Sequence, residues 1–442
     1  MKKNILTFFK YLSCFLFFLL LFTVICNDLV PYDFIWNYGF SHAIRIGEIP
    51  YLDFNTISTP LYSFIMAFFL LFWDNFFMFL ITQSLLCTLF VSLLFKYLNK
   101  LAWFILLILS FPLFKAFIGT YNFLALILIL FLLILETKKK SDLKIGIVLG
   151  LLILTKHSIG GVALITNLLF LKDIKRILKR SFGVFLPCLV FFIYLLLTKS
   201  LYKFIDLCFI GLFDFQANNG NIFNILGIIS IILIILLIIK YFKTKDIKIS
   251  YVIASYFLAF PLFDFYHFSM FLAIFILYFI KDTNLNEVYI KKLSIIILLI
   301  VLTFNILIRI DTYKQLHFLK LNRFEYYLVK DYEKEKFHKL LKKYQEKENT
   351  IIVGNHAMII DIISNRKITY FDITLKGNYG YKGTEKMITK IDNLKDVYFF
   401  IDMQSLLKCL DKTQLDYKLL TTIIKTSKLV DKVDSYNIYY KE

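Results

Sequence analysis

Residues 32 to 67, YDFIWNYGFSHAIRIGEIPYLDFNTISTPLYSFIMA, gather acids, an arginine, a histidine and aromatic rings in a chain otherwise made largely of Leu, Ile and Phe. Two of these residues carry chemistry at a useful spacing. Asp33 can accept a proton from an incoming hydroxyl and so turn it into a nucleophile. Arg45, twelve residues on, offers a planar donor set suited to a phosphate. Among apolar helices such a pair is costly unless pairing or function keeps it. The same residues also fit a solvated interfacial loop, and spacing alone leaves both readings open.

The elements that must position them belong to a membrane. The chain has 442 residues, is 59% hydrophobic and has a mean hydropathy of +0.70. Runs such as IFNILGIISIILIILLIIKYF (222 to 242) can cross roughly 30 Å of hydrocarbon as helices, and several recur. This predicts a polytopic α-helical membrane protein. The net charge of +19 does not point to nucleic acid, because residues 311 to 442 hold 24 Lys/Arg against 18 Asp/Glu. The rest holds 27 against 14, clustered in the short loops ETKKK (136 to 140), KDIKRILKR (172 to 180) and KYFKTKDIK (240 to 248). That is the positive-inside pattern, a signal of topology. Five of six cysteines lie in or beside apolar segments, Cys409 falls in the polar tail, and no CxxC occurs, so neither a disulfide framework nor a zinc site is indicated. The first run lacks a small-residue cleavage box and reads as an uncleaved helix.

With the N-terminus cytoplasmic, helix 1 delivers residues 27 onward to the outside. The next apolar run, PLYSFIMAFFLLFW (60 to 73), reaches only about 20 Å as a helix and ends on Trp73. It reads as an interfacial helix within an external loop over 27–75, because a crossing there would put KYLNK and ETKKK outside. With helix 1, about 11 transmembrane helices are expected within 1–310, among them 101–118, 292–310 and two short ones, 143–156 and 158–171, broken by TKHSIGG. Residues 311–345 read as a charged helical connector. In 346–442 the strand-like runs TIIVGN, KITYF, DVYFFID and YNIYYK alternate with helix-length stretches, predicting a small external α/β domain with a partly parallel sheet. The glycines of KGNYGYKG (376 to 383) lack phosphate-loop spacing and read as a loop needing permissive dihedrals.

One order of residues carries a resemblance. An Asp follows helix 1, about fourteen residues lead to Gly47, Pro50 and Tyr51 come next, and Pro60-Leu61 opens a surface helix leading to Ala67. This resembles the first external loop of GT-C glycosyltransferases that use polyprenyl-phosphate sugars, among them protein mannosyltransferases and lipid A aminoarabinose transferases. The resemblance implies that Asp33 is the catalytic carboxylate. Many members have Asp-Glu there, whereas Phe34 takes the second place here, so Asp28 is the reserve. Asp53 lies where members commonly have an acid or a polar residue, and a loop-structuring role is an equal reading. TKHSIGG (155 to 161) is similar to a Lys-Gln-x-x-Gly turn with His157 in the Gln place. FPLFDFYHF (260 to 268) is similar to a Pro-Arg-x-Asp-x-x-His turn, with Leu262 for Arg, Asp264 and His267. Chemically, Lys156 and His267 are outward-end cations able to hold a lipid phosphate, against a snorkelling lysine and an ordinary interfacial histidine. Gly160 and Gly161 favour function at Lys156 by letting backbone approach. Lys115 and Lys203 are second-rank phosphate contacts.

The resemblance implies an inverting transferase on the outer face of a bacterial cytoplasmic membrane. It would move a sugar from a polyprenyl-phosphate donor to a glycan, lipid or protein acceptor. Such a donor is already activated, so neither nucleotide nor redox cofactor is implied; a divalent metal stays open. A polymerase or ligase of lipid-linked glycans would carry more loop arginines than Arg45 alone. A transporter or flippase would show inverted repeats and polar residues near mid-membrane.

Overall fold

The computed structural model describes residues 2–25, 33–98, 119–211, 224–259 and 264–281, positions 292 and 296, and 316–442 apart from 320–321, 325–326, 355–356, 369–378 and 404–414. The expected crossings at 101–118 and 292–310 lie outside these residues or nearly so. Among the described residues, three helices are long and apolar enough to cross a membrane: α4 (Phe76–Leu98), α8 (Ile174–Leu197) and α10 (Ile225–Thr244). They stand among α1 (Lys2–Ile25), α5 (Tyr121–Thr137), α6 (Asp142–Thr155), α7 (His157–Phe170), α9 (Leu201–Ile205), α11 (Ile249–Ser255) and α12 (Phe265–Ile280).

Between α1 and α4 the chain builds two short helices, α2 (Asp33–Arg45) and α3 (Leu61–Leu70). An acid opens α2, and His42 and Arg45 occupy its last turn, the arrangement that its dipole favours. Gly47, at φ +94°, ends it: its N–H bonds Ile44 C=O at 3.0 Å, and the Glu48 N–H bonds Ala43 C=O at 2.9 Å. This paired closure needs a left-handed residue after the helix, which is what glycine supplies.

The break at TKHSIGG is real. Lys156 is extended (φ −150°, ψ 101°) between α6 and α7, each of fourteen residues. A Cβ at Gly160 would collide with the Ile153 backbone, so this glycine allows the two half-length helices to fold onto each other. Gly161 faces open space. Gly160 therefore serves helix packing here, and only Gly161 leaves backbone open to approach. In α6, Gly146 and Gly150 lie against the α8 backbone at Arg180 and Val184, and Gly183 of α8 lies against Leu143, the small-residue contact that lets apolar helices approach closely.

Beside that contact Arg180, fully buried, binds Glu136 at 2.5 Å, Asp142 at 2.6 Å and Asn167 at 2.7 Å. Tyr251 donates to Glu136 at 2.7 Å, and Arg176 reaches Asp142 at 3.2 Å. The basic run at 172 to 180 is thus partly inside α8 and ion-paired, and not only a loop signal.

The C-terminal part corrects the helical connector. Among its described residues, β1 (Leu316–Leu319) pairs antiparallel with β2 (Tyr327–Lys330), and the helix α13 begins only at Asp331 and ends at Gln345. A four-stranded sheet follows in the order β3 (Thr350–Val353), β4 (Val397–Asp402), β6 (Tyr436–Lys441), β5 (Lys428–Val433). β3 and β4 are parallel, and the other pairs antiparallel. Within the expected strand KITYF, Lys367 and Ile368 lie in a loop and the remainder falls outside the described residues. Helices α14 (Ala357–Ile363), α15 (Gly383–Asn393) and α16 (Leu415–Thr426) flank the sheet. Phe324, Tyr344, Ile359 and Phe400 join α2 and α4 residues in one continuous apolar core, so this region is packed onto the helices before it.

Candidate active site

Asp33 is the first residue of α2; its side chain lies outside the described residues, as does the whole of Asp28. Phe34 shows where that end of the helix sits. Its ring meets Phe76 and Phe79 edge-on at 5.5 and 5.3 Å and fills the space a Cβ on Gly119 would need. A half-buried carboxylate at position 34 would face these rings at a desolvation cost, which accounts for Phe after the Asp. Gly119 and Thr120 lead directly into α5, whose first two residues hold Lys156. The Lys156 Nζ donates to Asn122 Oδ1 at 3.0 Å and lies 5.8 Å from the centre of the Tyr121 ring. Phe34 at the start of α2 and the Lys156 ammonium thus contact neighbouring residues of one short stretch, 119–122.

A second strap of chain closes on the same corner. Tyr51, at φ +73°, donates its hydroxyl to Ser58 C=O at 2.9 Å. Thr59 donates to the Ile153 C=O at 2.7 Å, tying the strap to the last turn of α6. Asp53 accepts the Ile49 N–H at 2.7 Å, so its carboxylate is engaged in shaping this loop. His157 packs its ring 5.1 Å from Phe209, and both ring nitrogens are buried without a hydrogen-bond partner.

Arg45 is elsewhere. Twelve residues of helix place it about 18 Å along the α2 axis from Asp33. There its guanidinium reaches Asp74 at 3.4 Å, beside His42 at 2.9 Å and Arg323 at 2.7 Å on the same carboxylate. Burial pushes the Asp74 carboxyl up, but the hydrogen bonds and charges of His42 and Arg323 outweigh it and hold the group below the ordinary carboxylate range. Arg323 also donates to Ile362 C=O at 2.9 Å and Asn365 Oδ1 at 2.6 Å, so Asp74 clasps the C-terminal region to the end of α2.

Next to this clasp lie two acids that are far apart in the chain, Glu48 and Asp361. Glu48 is 3% exposed, and no well-aligned donor reaches its oxygens, the Ile368 backbone N–H favouring its charge only weakly. Burial lifts its carboxyl to about 7, Lys367 pulling down and Asp53 pushing up. Asp361 of α14 is 1% exposed and accepts the Tyr344 hydroxyl at 2.6 Å. Burial lifts it too to about 7, against Tyr344 and Arg366 and with the Glu48 charge adding.

The remaining candidates are dispersed. His267 pairs with Asp264 at 2.7 Å, where Asp264 caps α12. Lys203 is exposed on α9, and Lys115 lies outside the described residues. Among the described residues no three His, Cys, Asp or Glu side chains converge as a metal cage requires.

Apolar helices, a glycine-packed bundle and a loop folded over a broken helix pair make this a helical membrane protein. No protein-family model and no curated protein matches the chain. The crystal structure of ArnT from Cupriavidus metallidurans bound to undecaprenyl phosphate matches it with a TM-score of 0.55, over 97% of this chain and 97% of that one, at 12% identity.

Proposed function

We propose that this chain is a membrane glycosyltransferase that moves a sugar from a polyprenyl-phosphate carrier to an acceptor hydroxyl. The observation that supports the reading is that Phe34, next to the acid that opens α2, packs at Gly119, just before the residues that hold the Lys156 ammonium. The full-length likeness to ArnT, solved with undecaprenyl phosphate, supports the lipid carrier.

In the proposed reaction Asp33 takes the proton of the acceptor hydroxyl, and the oxygen attacks the anomeric carbon from the face opposite the phosphate. The bond from that carbon to the phosphate oxygen breaks in the same step, inverting the centre, and Lys156 stabilises the charge on the departing lipid phosphate. Arg45, about 18 Å along α2 and bound to Asp74, is assigned to bracing the loop and not to the phosphate. The site faces the outer side of the cytoplasmic membrane, with eleven crossings and the C-terminal region outside, so the donor arrives along the outer leaflet. The acceptor is a cell-envelope glycan, lipid or protein.

The test is transfer of radiolabel by purified protein in nanodiscs from polyprenyl-phosphate sugars to envelope extracts. Transfer is expected, with Asp33→Asn lowering it by about 10²–10⁴-fold at normal membrane levels. Full activity in Asp33→Asn overturns the role of Asp33. Movement of unaltered donor across the bilayer without transfer would mark a flippase instead.

A further inference from the structure

The glycines of KGNYGYKG have no part in the proposed chemistry, yet the structure gives them a partner. Gly380, at φ +81°, wraps the side chain of Asp206: a Cβ there would sit 2.5 Å from Asp206 Oδ2. The Tyr381 N–H donates to Asp206 Oδ1 at 2.9 Å, and the Lys386 Nζ lies 3.0 Å from Oδ2. On the other side Gly211 meets Gly380 so closely that its own Cβ would fall 2.8 Å from the Gly380 Cα. The Asp206 side chain is 7% exposed in this seat, while that of Lys386 is 49% exposed. The carboxylate is therefore the buried half of the pair, enclosed by a glycine turn of the C-terminal region.

Asp206 also opens a π-turn, Asp206–Ile210, closed by the Gly211 N–H on Asp206 C=O at 2.7 Å. Such wide turns are rare and persist where the surroundings hold them. The residues it carries face the candidate corner. Phe209 covers the His157 ring, Cys208 lies 3.9 Å from Thr56 C=O in the strap, and Leu207 and Cys208 share a buried cluster with Tyr51 and Leu195. His157 is the residue after Lys156, at the break between α6 and α7.

We propose that Asp206 is a positioning residue. Seated in the turn at 380–386, it holds the π-turn against His157 and the strap, and so fixes the Lys156 ammonium where the donor's phosphate departs. This rests on the transferase reading for its last step only; the mechanical link from the C-terminal region to the corner stands apart from it. The chemistry of the seat explains the residue types. A carboxylate accepts the backbone N–H and the ammonium at once, and a side chain at 380 would displace it.

Cys208 gives a readout independent of catalysis, since it is fully buried beneath the π-turn. In a full-length variant with the other five cysteines replaced by Ser, labelling of Cys208 by a membrane-permeant maleimide is expected to be slow. Asp206→Asn and Lys386→Ala each raise that rate about tenfold, while Lys386→Arg leaves it low. With polyprenyl-phosphate sugar as substrate, Asp206→Asn raises the donor KM about tenfold with kcat within about twofold. A labelling rate unchanged in Asp206→Asn overturns the mechanical link whether or not the protein is a transferase. Faster labelling with an unchanged donor KM overturns the positioning role. If wild-type protein transfers no sugar, the transferase reading fails alone, and the labelling still decides the link.

Discussion

Replacing Glu48 by Gln should flatten the pH dependence of the clasp between α2 and the C-terminal region. The Glu48 carboxyl is buried and keeps its proton to about pH 7, whereas a solvated glutamate releases it near 4.5. An acid whose folded value is raised stabilises the docked state fully below the lower value. That contribution is lost progressively as pH rises through the window, and the deficit is complete above about 7. At 1.36 kcal/mol per decade the full difference is worth about 3 kcal/mol. Between pH 5 and 8, titrating the two forms gives nearly two decades in the opening constant, or about 2.5 kcal/mol. Asp361 works in the same direction and is coupled to Glu48, so Glu48→Gln removes a large part of the slope and not all of it. Hydrogen exchange of the peptide covering Ala357–Ile363, corrected for intrinsic base catalysis, reads this opening directly. Wild-type protection should fall by at least two orders of magnitude from pH 5 to 8, and the variant should lose about half of that change. An equal pH dependence in both proteins would refute the reasoning.

Lys156→Met should raise the donor KM by about 10–100-fold, the worth of one charge-assisted hydrogen bond to phosphate, and steady-state kinetics with a polyprenyl-phosphate sugar would show it. Gly119→Ala must place a Cβ at φ +88° in space filled by Phe34, so thermal unfolding in detergent should show a loss of about 1–3 kcal/mol; an unchanged melting curve counts against the described corner. Arg180→Met leaves Glu136 without a cation and Asp142 with Arg176 alone, and should cost about 3–5 kcal/mol, read as loss of monodisperse protein on size exclusion. Adding Glu136→Gln should recover part of it.

What was legible in the sequence was local. TKHSIGG predicted a break between two short helices because a single crossing there would leave KDIKRILKR outside, and the helices end at Thr155 and restart at His157. The runs TIIVGN, DVYFFID and YNIYYK read as strands by alternation and contain β3, β4 and β6. What escaped depends on partners far along the chain. The charged stretch before α13 looked helical, but β1 and β2 find each other across a turn, and pairing decided the conformation. Arg45 suited a phosphate by type, yet Asp74 lies 29 residues on and Arg323 beyond the whole bundle, so nothing local announced that carboxylate. Glu48 and Asp361 are a similar case, because a buried acid in GEIPY is visible only once α14 is laid over it. Asp33 itself was chosen by order and resemblance.

The geometry of α2 turns these separate findings into one mechanical argument. A thirteen-residue helix is stiff over its length of about 20 Å, so its ends cannot be set independently. One end is pinned by Phe34 against Gly119, beside Lys156. The other is pinned by Asp74 and Arg323, and its middle is held by Met358, which leaves no room for a side chain on Gly39. The C-terminal region thus fixes the far end of the helix that begins with Asp33, and through Asp206 it reaches the corner that holds Lys156. Acid and ammonium lie on different elements, and the same region grips both. A loosened clasp would pivot α2 about the Phe34 contact and move Asp33 little, whereas a loosened π-turn would release the corner holding Lys156. Damage at Asp74 should therefore show first as lost stability, and damage at Asp206 first as lost donor affinity.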